Sequence, residues 1–252
     1  MTPPQPIPGL DYFISVFWAG RAETPEELAM RWLKLIARFQ TIDPIFAHWY
    51  IWPDIRHPLP FDTDVATLAE KIAAKVATSD TGEPLPIDGY QFFTRNNMAS
   101  KRGPRSFQID MFAGSPINFP LNRISLRTDY GVAPDSDLTT FRIFRSALLA
   151  LAETFEATIG LAAPANITDL WPKDWDLRRK FPFAWITYVA PRFASLITPP
   201  ASAVVERRPD GGLLMAATEE TFDTANPQHV AAARQIEAAG APFSALPYPW
   251  SR

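Results

Sequence analysis

The stretch DYFISVFWAGRAETPEELAMRWLKLIARFQTIDPIFAHWYIW, residues 11–52, decides the fold. Its first part, Tyr12–Trp18, is a run of aromatic and β-branched residues of strand length, so it predicts a β-strand. Thr24 then predicts the N-cap of a helix, because Pro25 suits the first helical position and Glu27 completes a capping box. The apolar residues that follow share one face of that helix. They are Leu28, Trp32, Leu35, Ile36 and Phe39.

The same stretch ends in a second predicted strand. Asp43-Pro44 stops the helix, since a residue before proline is disfavoured in the α region. Ile45–Trp52 is again dense in aromatic and β-branched residues, which predicts a strand. A helix with one apolar face, placed between two apolar strands, buries that face by packing across a sheet.

The rest of the chain carries the same kinds of signal. Further helices are predicted from Asp62 or Asp64, from Ser136 or Asp137, and from Asn226 to Gly240. The inward face of the first of these is expected to carry Val65, Leu68, Ile72 and Val76. Further strands are predicted at Tyr90–Arg95, Arg105–Ala113, Leu121–Thr128, Ala157–Ala163 and Phe183–Val189, and a hairpin at Ser202–Arg207 and Gly212–Ala217. These elements predict one continuous α+β domain over residues 1–252, with amphipathic helices on a largely antiparallel sheet.

The order of the elements also indicates an internal repeat, which we call the echo because only the order of elements recurs. Strand, capped helix and strand, followed by a strand pair, occurs twice, which would give pseudo-halves at residues 10–115 and 119–241. The echo lies in element order and not in residue identity, so a duplicated β-α-β-ββ unit and a single continuous domain both stay open.

Composition narrows the classes of function. The chain is 47% hydrophobic and 20% charged with a net charge of −3, which argues against a protein that coats nucleic acid. It contains no cysteine, so disulfides, thiolate catalysis and cysteine-based metal sites are excluded. The start MTPPQPIPGLD lacks a basic region, and no apolar run reaches the length of a membrane span. We therefore expect a cytoplasmic protein with no membrane partner.

The common catalytic sequence motifs are absent. The sequence has no GxSxG elbow, no GxxxxGK[ST] loop, no GxGxxG after a strand and no HExxH, although a triad defined by geometry alone stays open. His48, Asp54 and His57 could supply two imidazoles and a carboxylate to a metal, but Pro53 interrupts any fixed spacing. We therefore predict a half-buried His48, a solvent-facing His57, a surface position for His229, and neither metal nor cofactor.

Seven of the eight tryptophans fall into two groups. Five are predicted to pack in the core because they lie on strands or on the apolar helix face. These are Trp18, Trp32, Trp49, Trp52 and Trp185. Trp171 and Trp175 instead lie in the charged segment LWPKDWDLRR, where they either anchor a long loop or form a protein-binding patch.

The opening stretch resembles the start of the immunity protein 52 family of bacterial polymorphic toxin systems. The resemblance rests on Trp18, Gly20-Arg21, Glu23-Thr24 and the amphipathic helix to Phe39. The segment RRPDGGLLMAATEETFDTANPQHV, residues 207–230, is similar to the family's hairpin and closing helix. The middle of the chain, from about residue 53 to 104, matches least.

The resemblance implies a non-enzymatic cytoplasmic antidote. Such proteins bind a secreted toxin, here one of type VI secretion encoded by a neighbouring gene, and the toxins are typically nucleases of the restriction-endonuclease fold. The family has no catalytic residues to carry over. The implied partner is thus a cognate toxin protein, and neither nucleic acid nor a cofactor.

The toxin contacts are predicted from charge and aromatic content. A nuclease site that holds phosphate is electropositive, so an antidote can plug it with carboxylates or bind beside it. The predicted partner-binding residues are Asp54 and Arg56 on the first proline-rich loop, with Trp171, Asp174, Trp175 and Asp176 on the second. A metal-dependent or triad hydrolase and an effector chaperone are the alternatives.

Overall fold

The first strand and helix form as the sequence predicts. The computed structural model describes residues 11–52, 57–98, 103–118, 122–173, 176 and 180–247. Strand β1 is Tyr12–Trp18 and helix α1 is Pro25–Gln40. The Thr24 hydroxyl accepts the Glu27 N–H at 3.3 Å, while the Glu27 carboxylate accepts the Thr24 N–H at 2.8 Å. The capping box is thereby confirmed, and the predicted apolar face of α1 is buried.

Replacing Thr24 with alanine is expected to cost about 1 kcal/mol of unfolding free energy, since it removes an N-cap acceptor. Thr24→Ser keeps the hydroxyl and is expected to stay close to wild type. Urea unfolding followed by circular dichroism measures both variants. Equal stability of the alanine and serine variants would show that the cap contributes nothing.

The strand predicted at Ile45–Trp52 is largely wrong. Residues Pro44–Phe46 form a 3₁₀ helix, and β2 is only Tyr50–Ile51. A local helix cap and a tertiary contact together explain the difference from the predicted strand. The Asp43 carboxylate accepts the Ile45 N–H at 3.1 Å and caps the turn, and the Phe46 ring is buried between Phe39 and Phe107. Burying Phe46 there requires the chain to curl instead of extend.

The next elements follow the predictions apart from Leu59–Pro60, a short strand in a segment that the sequence predicts to be a proline-rich loop. Strand β3 is Leu59–Pro60, α2 is Val65–Ala73, β4 is Tyr90–Arg95, β5 is Phe107–Ala113 and β6 is Asn122–Thr128. The Asp64 carboxylate caps α2 by accepting the Thr67 N–H at 2.8 Å. Val76 lies beyond the end of α2, where it forms an isolated bridge to Tyr90, so its expected place on the helix is wrong.

The third helix begins later in the chain than the sequence predicts. Helix α3 is Phe141–Phe155, and its N-cap is Thr140 instead of Ser136 or Asp137. Asp135 and Asp137 are held by Arg105, with its Nη1 at 2.8 Å and 3.2 Å from their carboxylates. This long-range pairing keeps the segment before Thr140 out of the helix.

The C-terminal part forms close to its predicted positions. Strand β7 is Ile159–Pro164, β8 is Ile186–Val189, α4 is Pro191–Ala194, β9 is Val204–Arg207, β10 is Leu213–Ala216, α5 is Pro227–Ala239 and α6 is Ala241–Ser244. A 3₁₀ helix at Ala165–Leu170 follows β7. Asn226 caps α5 and Gly240 ends it, as predicted. The strand expected from Phe183 starts three residues later, at Ile186.

The ten strands form one sheet in the order β3-β2-β4-β5-β6-β1-β7-β8-β10-β9. Every neighbouring pair is antiparallel, so the α+β class with an antiparallel sheet is confirmed. Strands β1 and β6, the first of each predicted pseudo-half, lie side by side at the centre. From there the order outward is β5-β4-β2-β3 on one side and β7-β8-β10-β9 on the other. The internal duplication therefore stays a prediction.

The two faces of the sheet are covered differently. On one face α1, α2 and α3 bury the side chains of Ile14 and Val16 on β1 and their neighbours. On the other face, β7, β8 and β10 are buried at every residue, and α5 contacts β10. Strands β4, β5, β6 and β1 instead alternate between buried and more exposed side chains, as antiparallel strands with one solvated face do.

Candidate interaction surface

The second face of β4, β5, β6 and β1 is partly exposed: Gln91, Phe93, Arg123 and Arg127 are exposed, whereas Ser15 and Ser125 are buried. We call it the open face and define it by the twelve side chains that point away from α1, α2 and α3. They are Gln91, Phe93, Arg95, Gln108, Asp110, Phe112, Arg123, Ser125, Arg127, Phe13, Ser15 and Phe17. Antiparallel register places these residues in three rows across the strands, with directly opposed side chains about 5 Å apart.

A chain of polar contacts runs across three strands of the open face. The Arg95 Nε donates to the Gln108 side-chain oxygen at 3.1 Å, and the Gln108 amide donates to Asp110 at 2.6 Å. On the next strand the Arg127 Nε lies 3.2 Å from the other Asp110 oxygen. These contacts hold two guanidinium groups in defined positions on a rigid sheet.

The aromatic side chains of the open face lie beside its arginines. The Arg123 guanidinium lies 4.4 Å from the centre of the Phe112 ring, and Phe93 is 37% exposed. Arg95 lies 5.7 Å from the ring of Trp52. Burial, followed by the nearby Arg127, lowers the pKa of Arg123, although Asp110 opposes the shift. Arginine still carries its full charge at neutral pH.

The open face is basic on an acidic chain. Its charged members are three arginines and one aspartate, a formal charge of +2, whereas the whole chain carries −3. Asp11, directly before β1, adjoins Arg127. Burial raises the pKa of Asp11, while Arg127 lowers it. Positive charge is therefore concentrated on this surface.

A cleft of about 660 Å³ lies at the C-terminal end of β1, beside Trp18. Its size is within the range of small-molecule sites. Three of its charged lining residues form ion pairs: Glu153 is 2.6 Å from Arg38 and 3.0 Å from Arg208, and Glu156 is 2.9 Å from Arg21. These pairs tie α1, α3 and the β9–β10 hairpin together.

Two further features of the cleft indicate a structural role. Glu156 ends α3 in the left-handed conformation with φ at 52°, a strained position for a residue with a side chain. Its carboxylate pairs with Arg21 and Arg31, which favours this conformation. Burial, and then Asp210 and Glu153, raise the pKa of Tyr188 to about 12, so this phenol is a poor base at neutral pH.

The histidines differ from two of the three predictions. His48 is exposed instead of half-buried, while His57 is exposed as expected. His229 is only 7% exposed, so its predicted surface position is wrong. Its Nδ1 accepts the Asp223 N–H at 3.1 Å and its ring packs against Phe222. These contacts bury the side chain of His229 in the first turn of α5. In the described part of the chain, no three His, Asp or Glu side chains group closely enough to hold a metal ion.

Comparison with known proteins identifies the family. The family model for immunity protein 52 matches residues 11–241, nearly the whole chain. The chain belongs to the immunity protein 52 family. The comparison with curated proteins gave no match.

A solved structure shares the fold of this immunity protein 52 member. The Pseudomonas aeruginosa T6SS protein PA0821 superposes with a TM-score of 0.51 at 12% identity. The match covers 90% of this chain and 76% of that one. Identity this low supports a common fold only. None of the helices in the described ranges is both long and apolar enough to cross a bilayer.

The predicted partner-binding residues of this family member are only partly visible. Asp54, Arg56, Asp174 and Trp175 lie outside the described residues. Asp176 is half-buried, and its backbone carbonyl accepts the Lys180 N–H at 2.9 Å. Their role in binding stays a prediction.

Trp171 packs against the protein instead of standing free. It is half-buried against the core, and its indole N–H donates to the Phe183 carbonyl at 3.0 Å. Arg234 reinforces this region, since its guanidinium lies 3.9 Å from the Phe183 ring. The five tryptophans predicted in the core are each 7% exposed or less, which confirms that prediction.

The sequence carried a signal for the open face that motif searching missed. Polar and aromatic residues recur at every second position in Gln91–Arg95, Gln108–Phe112 and Arg123–Arg127. Such alternation predicts a half-buried strand. Three such strands in succession predict a sheet face turned toward solvent, provided that the strands are neighbours.

Proposed function

We propose that this protein is a cytoplasmic immunity protein that binds and neutralises a cognate secreted toxin without catalysing a reaction. The observation that carries the proposal is the immunity protein 52 match over residues 11–241. The shared fold with a T6SS protein is consistent with a toxin of that system. We propose that a neighbouring gene encodes this toxin. We further propose that the toxin is a nuclease of the restriction-endonuclease-like fold.

His229 and two carboxylates of the cleft are engaged in contacts within the fold. His229 has its Nδ1 occupied by a backbone N–H, and its Nε2 lies 3.5 Å from Glu220. A general base in a triad needs a free ring nitrogen facing a nucleophile. The carboxylates Glu153 and Glu156 in the cleft are ion-paired with arginines, so both serve the fold.

Two kinds of contact can neutralise a nuclease. Carboxylates can enter its electropositive phosphate site, for which we propose Asp54, Asp174 and Asp176, assisted by Arg56, Trp171 and Trp175. Alternatively, the immunity protein can bind beside the site and block access or motion. A toxin assay with these residues replaced one at a time ranks their contributions.

The deciding experiment expresses the neighbouring toxin gene in bacteria with and without this protein. We expect the toxin alone to reduce viable counts by several orders of magnitude and coexpression to restore them. The two purified proteins should also form a stable complex on gel filtration. Equal killing in both strains, together with separate elution, would rule out the immunity function.

The same experiment separates the two alternatives. An effector chaperone would co-purify with the toxin while leaving its toxicity unchanged. A metal-dependent hydrolase would purify with a stoichiometric transition metal that is lost in the His48→Ala, His57→Ala double variant. We expect restored viability and no such metal.

A further inference from the structure

We propose that the open face is the toxin-docking surface and that it binds an acidic, partly apolar patch lying outside the phosphate-binding site of the toxin. This inference rests on the proposed function and goes beyond it, because it specifies the surface and the chemistry of the partner. It also differs from the loop contacts predicted from the sequence.

The first argument is coverage. An antiparallel sheet often has one solvated face, so openness alone carries no function. Here every side chain of β7, β8 and β10 is buried, whereas ten of the twelve side chains of the open face are exposed or half-buried. The open face is also where four phenylalanines point away from the helices.

The second argument is composition. The open face holds four phenylalanines and three arginines but no lysine and no glutamate. Protein interfaces are enriched in aromatic residues and arginine and depleted in lysine and glutamate. Arginine and aromatic side chains also dominate binding energy at hot spots. The pair Arg123 and Phe112, with Phe93 on the neighbouring row, fits that description.

The third argument is charge. The open face carries +2 while the whole chain carries −3, so it attracts an acidic surface and repels a basic one. The phosphate site of a nuclease is electropositive, and pressing it against three arginines would be unfavourable. The open face therefore fits an acidic patch elsewhere on the toxin. Binding there blocks the toxin by restricting access to its active site or by restricting its motion.

The fourth argument is preorganisation. Arg95 and Arg127 are held by Gln108 and Asp110, and all four lie on adjacent strands. Fixing side chains before binding reduces the entropy lost on association. A docking surface on a sheet is therefore better positioned than one on a loop.

The size of the open face sets its share of the interface. Four strands and three outward residues per strand cover roughly 400 Å² by standard strand spacings. A stable interface needs about 800 Å² per partner. The open face can thus supply the centre of an interface whose rim comes from neighbouring loops.

The test is charge reversal with a matched control. Arg123→Glu alters an exposed arginine of the open face, whereas Arg207→Glu alters an exposed arginine on edge strand β9, in the other half of the sheet. Neither arginine forms an ion pair among the described residues. We expect Arg123→Glu to weaken toxin binding at least about 30-fold, as hot-spot arginines do, and Arg207→Glu to change it less than about two-fold.

Binding is measured by titration calorimetry with the full chain and catalytically inactive toxin, and circular dichroism melts confirm that each variant is folded. Phe93→Glu provides a second variant with the same expected loss. A compensating change is also made on the toxin. Replacing an acidic residue of the toxin patch with lysine should restore binding to the Arg123→Glu variant.

Each outcome is decisive. If wild type binds the toxin and both open-face variants bind equally well, the docking inference fails while the proposed function stands. If wild type does not bind the toxin, the proposed function fails. Wild-type binding to a single-stranded oligonucleotide, or dimerisation on light scattering that Arg123→Glu abolishes, would assign the open face to a different occupant and overturn the inference.

Discussion

Replacing Trp32 with alanine is expected to lower the free energy of unfolding by about 3–5 kcal/mol, the usual cost of removing a large aromatic side chain from a core. Trp32 is fully buried on α1. Its ring lies 5.3 Å from that of Phe92 and 6.0 Å from that of Phe61, and its indole N–H points at the Met111 sulfur at 3.1 Å. Alanine leaves a cavity between α1 and the sheet directly behind the open face.

Guanidinium chloride unfolding followed by circular dichroism measures this loss. Met30→Ala on the same helix is the matched control, since Met30 is 54% exposed and its removal should cost less than about 0.5 kcal/mol. A loss of 3–5 kcal/mol is a large part of the stability of a typical domain, so protection against the toxin should also fall at 37 °C. Equal stability of the two variants would show that Trp32 is not a core residue.

Alkaline pH is expected to destabilise the fold through two buried tyrosines. Burial, with Asp223 as a second cause, raises the pKa of Tyr12 to about 12, and burial followed by Asp210 and Glu153 does the same for Tyr188. Both pKa values lie above the value of 10 for a free tyrosine, so the folded state holds these protons more tightly. The stabilisation is complete below pH 10 and is lost as the pH rises from 10 to 12.

The expected loss is roughly 2–3 kcal/mol for each tyrosine, from about 1.4 kcal/mol per pKa unit. Urea unfolding at pH 9, 10 and 11 measures the slope. The Tyr12→Phe, Tyr188→Phe double variant keeps both rings and should flatten this part of the profile. An unchanged slope in the double variant would assign the alkaline loss to other groups.

Much of the local structure could be predicted from the sequence because its signals are local. The capping box at Thr24, the proline after Asn226 and the Pro-Asp-Gly-Gly turn act through residues next to each other. The prediction failed where a distant partner decides the outcome. Arg105 holds the segment before Thr140 out of α3, and Phe107 draws Phe46 into a 3₁₀ helix.

The candidate surface was harder to predict than the fold. Motif reasoning favoured loops, because exposed tryptophans and carboxylates in unpatterned segments resemble interfaces. The open face is instead built from strands whose residues are far apart in sequence. Ser15 on β1 and Ser125 on β6, for example, lie 110 positions apart and share a hydrogen bond of 2.7 Å.

The sequence alone determined most of the strands and helices, and the alternation along β4, β5 and β6 already separated an inner from an outer set of side chains. Only the tertiary structure decided that β1 lies between β6 and β7, and that most of the outer set stays at least partly exposed while β7, β8 and β10 are buried at every residue. The physical reason is that periodicity acts within a segment, whereas strand order and coverage depend on packing between segments that the chain brings together only on folding.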